Sequence, residues 1–187
     1  MKTAEKESEL KKIALEIESC NECKVGKSGM AVVGEGNADA RVMFVGEAPG
    51  RNEAETGRPF IGRSGKLLRK TILEVGLREE DVYITSPVKY LPDYGTPTTK
   101  DILHGKTHFD KQVEIISPKI IVLLGRVAAE AILERKIAVV SEHGKVLNEK
   151  GRNIFITVHP AAALRFVKMK KTFLEDFKLL KKLLAAG

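Results

Sequence analysis

The chain has 187 residues, of which 43% are hydrophobic and 30% are charged. That is enough for one domain with a buried core, and these proportions exclude a disordered chain. Lys and Arg outnumber Asp and Glu by 32 to 25, which gives a net charge of +7, so we expect an anionic partner. The two cysteines are too few for a disulfide-stabilised scaffold.

The longest apolar run, Ile120 to Leu124, is far shorter than the ~20 residues that a membrane-spanning helix needs. The first ten residues are rich in Lys and Glu and lack the apolar run of a secretory signal. We therefore expect no membrane association and a cytoplasmic location. A single glutamine, Gln112, stands against many Lys and Glu residues, a composition that favours a thermophilic source.

The chain has no internal repeat and no linker-like segment, so we predict one domain over residues 1–187. Apolar residues at helical spacing predict helices over residues 4–19, 65–75, 99–116, 126–134 and 171–186. Short runs rich in Val and Ile predict strands over residues 41–45, 82–85, 120–124 and 153–158. This alternation predicts an α/β fold, a three-layer α/β/α sandwich around a four-stranded parallel sheet.

Ligands of open α/β sheets bind beyond the carboxyl ends of the strands, and three unusual segments follow predicted strands, at 46–60, 86–90 and 159–165. The first is dense in Gly and Pro, which fix a tight path and let a ligand approach backbone N–H groups. His159 should emerge at the same sheet edge as Glu47 and Glu53. Taken singly, each segment also fits a plain turn or a structural histidine, but their occurrence together favours a binding site.

A series of unusual motifs occurs in order along the chain. These are Gly-Glu-Ala-Pro-Gly-x-x-Glu at 46–53, Thr-Gly-Arg-Pro-Phe-x-Gly-x-x-Gly-x-Leu-Leu at 56–68, Val-Tyr-Ile-Thr at 82–85, Thr-Pro-Thr at 96–98, Pro-Lys-Ile-Ile-Val-Leu-Leu-Gly at 118–125 and His-Pro-Ala-Ala at 159–162. Through these motifs the chain resembles, over most of its length, family 4 of the uracil-DNA glycosylase superfamily, the thermostable iron-sulfur type.

The resemblance implies a DNA repair enzyme that flips uracil out of DNA and hydrolyses its N-glycosidic bond, leaving an abasic site. Phe60 would stack on the base. His159, with backbone N–H groups of the Glu47–Ala48 turn, would donate hydrogen bonds to the departing uracil. Glu53, with Glu47 as the second candidate, would orient or deprotonate the attacking water. These groups need no cofactor.

Uracil-containing DNA is therefore the expected partner, and family members of this type usually act as monomers. A predicted helix N-terminus at Arg63, Ser64, Gly65 and Lys66 offers N–H groups to a phosphate. Leu164 and Arg165 resemble the loop that inserts into the base stack, although ordinary core packing is an equal alternative for Leu164.

The first departure from the family concerns its [4Fe-4S] cluster, which four cysteines normally bind. Cys20 and Cys23 supply the first pair, but the third position is Tyr90 and the fourth falls at or near Gly105. We therefore expect the intact cluster to be absent.

His104 and His108 flank the lost fourth cysteine and, with the two cysteines, match the spacing of a Cys₂His₂ zinc site. The alternatives are no metal, a zinc ion or a partial cluster. Without a metal, the cysteines would be a remnant of a lost site or a local disulfide.

The second departure is Ser86, which stands where the family usually has an asparagine that pairs with the O4 and N3–H groups of uracil. A hydroxyl is shorter and rotates freely, so we expect weaker base discrimination unless backbone groups near Pro87 replace the amide.

Two other functions remain open at this point. A glycosylase-fold protein could recognise damaged DNA with weak catalysis or altered base specificity, and an unrelated α/β enzyme could bind a nucleotide or phosphate ester.

Overall fold

The computed structural model describes residues 1–149 and 151–186, without the side chains of Glu79 and Ala186. Its helices are α1 Thr3–Ser19, α2 Asn21–Lys24, α3 Arg51–Thr56, α4 Arg63–Glu74, α5 Thr99–Ile116, α6 Arg126–Leu133, α7 Val139–Glu142, α8 Pro160–Arg165 and α9 Val167–Ala186. Its strands are β1 Lys27–Ser28, β2 Glu35–Gly36, β3 Val42–Val45, β4 Val82–Thr85, β5 Leu91–Pro92, β6 Ile120–Leu124, β7 Val146–Glu149 and β8 Arg152–Thr157.

The main sheet has the strand order β2-β4-β3-β6-β8-β7. Its four central strands are parallel, as predicted. The predicted four parallel strands are confirmed, and β2 and β7 extend them by one antiparallel strand at each edge that the sequence did not predict. β2 has only two residues and β7 is mostly exposed, so both lack the buried apolar run that marks the central strands. β1 and β5 form a separate two-stranded sheet.

The predicted three-layer arrangement is confirmed by the alternation of side chains along β3. Val42 and Phe44 pack on one face in a cluster that includes residues of α4 and α9. Met43 and Val45 pack on the other face with residues of α5 and α6. Successive side chains of a strand point to opposite faces, so an all-apolar strand such as β3 requires helices on both sides.

The predicted strands and the first four predicted helices match the structure to within one or two residues at most ends. The last helix begins at Val167 rather than residue 171, because its first turn is exposed and has no apolar periodicity to read. Besides β2 and β7, the short elements α2, α3, α7, α8, β1 and β5 were not predicted. No helix within the described ranges is both long enough and apolar enough to cross a membrane.

Candidate active site

A cavity of about 170 Å³ lies at the carboxyl ends of the parallel strands. The five residues predicted to contact a base all line it: Glu47, Ala48, Phe60, Ser86 and His159. They come from three segments that follow β3, β4 and β8, which a parallel sheet brings to one edge.

Phe60 reaches this cavity in a strained backbone conformation, with φ of 51°. A non-glycine residue in the left-handed region costs on the order of 1–3 kcal/mol and needs support from its surroundings. Two glycines provide room for it. A Cβ at Gly46 would lie 2.5 Å from the Phe60 ring, and a Cβ at Gly65 would lie 2.0 Å from the Phe60 backbone.

Glu53 supports the Phe60 loop from one side. Its Oε1 accepts hydrogen bonds from the backbone N–H groups of Ile61 at 2.9 Å and Gly62 at 2.8 Å. The side chain is buried in the first turns of α3. One carboxylate oxygen is therefore engaged in holding the loop, while Oε2 faces Gly50, where a Cβ would come within 2.7 Å of it.

Arg69 supports the same loop from the other side. Its guanidinium donates to the carbonyl oxygens of Phe60 at 3.0 Å and Pro59 at 2.7 Å. Glu35, on the edge strand β2, accepts from Arg69 at 2.6 Å and from Arg58 at 2.9 Å, which holds both cations against the loop. The ion pairs with Arg58 and Arg69 keep the pKa of Glu35 below its usual value despite burial, which alone would raise it.

Glu47 is different from Glu53, because its carboxylate makes no hydrogen bond or ion pair with any residue in ranges 1–149 and 151–186. It is half-buried on the cavity wall. Burial raises the pKa of Glu47, and the positive charge of Arg126 opposes this only in part. A carboxylate with free lone pairs and increased basicity is suited to bind and polarise a water molecule.

His159 is the N-cap of α8, with Pro160 as the first helical residue. Its Nδ1 accepts a hydrogen bond from the backbone N–H of Ala161 at 3.1 Å. Burial lowers the pKa of His159 to about 4, so the ring is neutral at pH 7. Because Nδ1 is the acceptor, the single proton of the neutral ring is on Nε2, which is left to donate to a ligand.

The close approach of α8 depends on Gly125, which follows β6 with φ of 89°. A Cβ at this position would lie 2.8 Å from the Cβ of His159. The His159 ring is 6.1 Å from the Phe60 ring, centroid to centroid, at an angle of 36°. The donor and the aromatic surface therefore face one cavity.

Ser86 lines the cavity, but its hydroxyl does not rotate freely as predicted. Its Oγ donates a hydrogen bond of 2.7 Å to the carbonyl oxygen of Val88 in a buried turn. The remaining lone pairs of Oγ can accept a hydrogen bond from a ligand, whereas its proton is already used.

The predicted phosphate-binding residues lie in the first turn of α4, but they differ in exposure. Arg63 and Lys66 are exposed and Ser64 lines the cavity, whereas Gly65 is buried under Phe60. Gly65 is therefore not a surface residue of a phosphate site. Its missing side chain makes room for the Phe60 loop.

Leu164 is 44% exposed on α8, so the alternative of core packing is wrong. Arg165 beside it is also exposed, and Phe166 and Val167 continue the exposed surface at 60% and 89%. Exposed apolar side chains therefore lie at the end of α8, the helix that begins after His159.

The four candidate metal ligands also come together, at a place that shares no residue with the cavity lining. Cys20, Cys23, His104 and His108 have donor atoms that all lie within 4.8 Å of one another. Both thiols are free, so the alternative of a local disulfide is wrong.

The sequence reasoning missed the residues that position the site rather than contact a ligand, above all Arg69, Glu35 and Gly125. Arg69 and Glu35 lie 34 positions apart, and an ion pair between elements leaves no periodic signal. Gly125 is the last residue of the motif at 118–125. A glycine directly after a predicted buried strand indicates that another segment packs closely against the backbone there.

The family model described as the uracil DNA glycosylase superfamily matches residues 33–181. The chain is 42% identical over 185 residues to the type-4 uracil-DNA glycosylase of Sulfurisphaera tokodaii, with 93% of this chain and 84% of that protein covered. It is 38% identical over 176 residues to the type-4 enzyme of Archaeoglobus fulgidus (89% and 88% covered), and 37% identical over 168 residues to that of Thermotoga maritima (87% and 88%). The chain therefore belongs to the uracil DNA glycosylase superfamily, among its type-4 members.

Proposed function

We propose that the protein removes uracil from DNA by hydrolysing the N-glycosidic bond, leaving free uracil and an abasic site. The observation that carries the proposal is the His159 ring, whose tautomer leaves Nε2–H to face the same cavity as the Glu47 carboxylate. The departing base gains negative charge while the sugar becomes cationic, so a donor and a carboxylate on one cavity lower the barrier from both ends.

In this proposal the flipped uracil stacks on Phe60, and Nε2–H of His159 donates to the oxygen that gains charge. Glu47 orients the attacking water and stabilises the cationic sugar, because its oxygens are not engaged elsewhere. Glu53 is a positioning residue that fixes the Phe60 loop through Ile61 and Gly62. This reverses the order of the two carboxylates predicted from the sequence.

The DNA itself would lie across the basic first turn of α4 and the α8–α9 corner. Arg63 and Lys66 are exposed and suited to phosphates, and Leu164 with Arg165 would fill the gap left by the flipped nucleotide. All the proposed groups belong to one chain, so the reaction needs no second copy. None of the proposed steps uses a metal ion, and the metal-ligand group lies outside the cavity.

A labelled oligonucleotide with one uracil tests the proposal through alkali-sensitive strand scission. We expect scission with the unaltered protein and a loss of about 10²–10³ in rate for His159→Ala, the effect of losing one such donor. His143→Ala is the matched control, because this histidine contacts Asp176 away from the cavity. Binding without scission would instead support the damaged-DNA binding alternative.

A further inference from the structure

The type-4 resemblance implies a [4Fe-4S] cluster, but the residues of this chain do not fit one. Two of the four cysteine positions are not cysteines here, since the third is Tyr90 and the fourth falls at or near Gly105. Tyr90 is buried and packs with Cys23 in one apolar cluster. A Cβ at Gly105 would lie 2.3 Å from the carbonyl oxygen of Pro87, so no cysteine fits there without movement of the backbone.

Four other donors nevertheless meet beside these two positions. Cys20 is the N-cap of the short helix α2 and Cys23 lies within that helix, whereas His104 and His108 lie one turn apart on α5. The Sγ of Cys20 lies 3.2 Å from Nε2 of His104. All four donor atoms lie within 4.8 Å of one another.

This spacing fits a single ion better than a cluster. Zn–S distances of about 2.3 Å and Zn–N distances of about 2.0 Å place the ligand atoms of a tetrahedron about 3.3–3.8 Å apart. A Rieske-type [2Fe-2S] centre also uses two cysteines and two histidines, but it binds each pair to a different iron. The close approach of Cys20 to His104 places a sulfur and a nitrogen side by side, as around one ion.

His108 supplies a second, independent observation. Its side chain is 91% buried, and neither ring nitrogen has a hydrogen-bond partner in the described part of the chain. Its Nδ1 lies 3.9 Å from the Glu16 carboxylate, beyond hydrogen-bond distance. An unpaired buried polar group is destabilising, and a bond to a metal ion would provide a partner for one of the two nitrogens.

His104 is oriented as metal-binding histidines usually are. Its Nδ1 lies 3.4 Å from the Glu22 carboxylate, which leaves Nε2 directed at Cys20. A carboxylate behind the ring fixes the ring orientation and the tautomer, as in many metal-binding histidines. Cys20 in turn accepts the backbone N–H of Cys23 at 3.4 Å, which holds its sulfur beside His104.

We propose that Cys20, Cys23, His104 and His108 bind one Zn²⁺ in tetrahedral geometry, in place of the family's cluster. The ion joins α2 to α5 and has a structural role, because four protein ligands leave no open position for substrate. The proposal does not depend on the glycosylase activity.

Elemental analysis of the full chain, expressed with zinc and iron both supplied, tests this directly. We expect about one zinc per chain, without stoichiometric iron or acid-labile sulfide, and a lower Tm after chelation. Replacement by Co²⁺ should give the intense visible bands of a tetrahedral thiolate site. Iron with acid-labile sulfide would overturn the proposal in favour of a cluster, and failure to bind Zn²⁺ after dialysis against it would overturn it in favour of a remnant.

Variants assign the ligands. Cys20→Ser and His104→Ala should each lose the stoichiometric zinc, whereas the control His143→Ala should keep it. His104→Cys should still bind Co²⁺ and increase its sulfur charge-transfer absorption, since a third thiolate replaces an imidazole. An unchanged cobalt spectrum in His104→Cys would remove His104 from the site, even if the other variants do not fold.

Discussion

Glu47→Gln and Glu53→Gln should separate catalysis from loop positioning. In Glu47→Gln no hydrogen bond to a described residue is lost, so we expect Tm to change by less than about 1 °C. The amide cannot take a proton from water, and loss of a general base typically lowers the rate about 10²–10⁴-fold. Single-turnover release of uracil from an oligonucleotide measures this loss.

In Glu53→Gln the loop keeps its acceptor but loses the charge. Hydrogen bonds to a charged group contribute ~1.5–3 kcal/mol and neutral ones ~0.5–1.5 kcal/mol, so the bonds to Ile61 and Gly62 weaken by about 2 kcal/mol together. For a chain of this size, ~2–4 °C per kcal/mol predicts a Tm lower by about 4–8 °C. The division of roles is refuted if Glu47→Gln keeps nearly full activity while Glu53→Gln, with unchanged Tm, abolishes it.

Three further predictions concern pH, the wedge and base choice. The single-turnover rate should show no inflection from His159 near about pH 6.5, where an ordinary histidine titrates, because burial lowers the pKa of His159 to about 4. The rate should fall with decreasing pH as Glu47, whose pKa is raised by burial, takes up a proton. An inflection near about pH 6.5 that disappears in His159→Ala would contradict this. Leu164→Ala should change the free energy of unfolding by less than about 0.5 kcal/mol, because the side chain is largely exposed. The variant should nevertheless slow uracil release from duplex DNA more than from single-stranded DNA, which has no base stack to enter. Equal slowing on both substrates would exclude a role of Leu164 as a wedge. Ser86→Asn should increase the preference for uracil over hypoxanthine, xanthine and cytosine in single-turnover base release. Identical base preferences in the two proteins would mean that backbone groups, and not the side chain at position 86, recognise the base.

The residues that contact the cavity were predictable because their positions follow from the sheet. Once β3, β4 and β8 are identified as parallel strands, Glu47, Ser86 and His159 must lie at one edge. This inference needs only the order of the strands along the chain and the direction of each. It is unaffected by the two edge strands that the prediction lacked.

The division of roles between Glu47 and Glu53 could not be predicted in the same way. Both glutamates belong to the segment 46–60, and the sequence does not show which carboxylate faces backbone N–H groups. That depends on the path of residues 57–62, which is set by the φ of Phe60 and by Arg69 on α4. The prediction that the Ser86 hydroxyl rotates freely is wrong for a related reason. The hydroxyl donates to the carbonyl oxygen of Val88, and only the turn between the two residues brings that oxygen within reach.

Gly105 links the proposed metal site to the wall of the cavity. It lies on α5 between His104 and His108, and its lack of a side chain lets the helix pack against the Pro87 carbonyl. Pro87 directly follows Ser86, whose hydroxyl donates a hydrogen bond to the carbonyl oxygen of Val88. A zinc ion bound to His104 and His108 would therefore also restrain the segment that carries Ser86. A cysteine at position 105 would need the close packing behind Ser86 to open, because its Cβ would lie 2.3 Å from the Pro87 carbonyl oxygen.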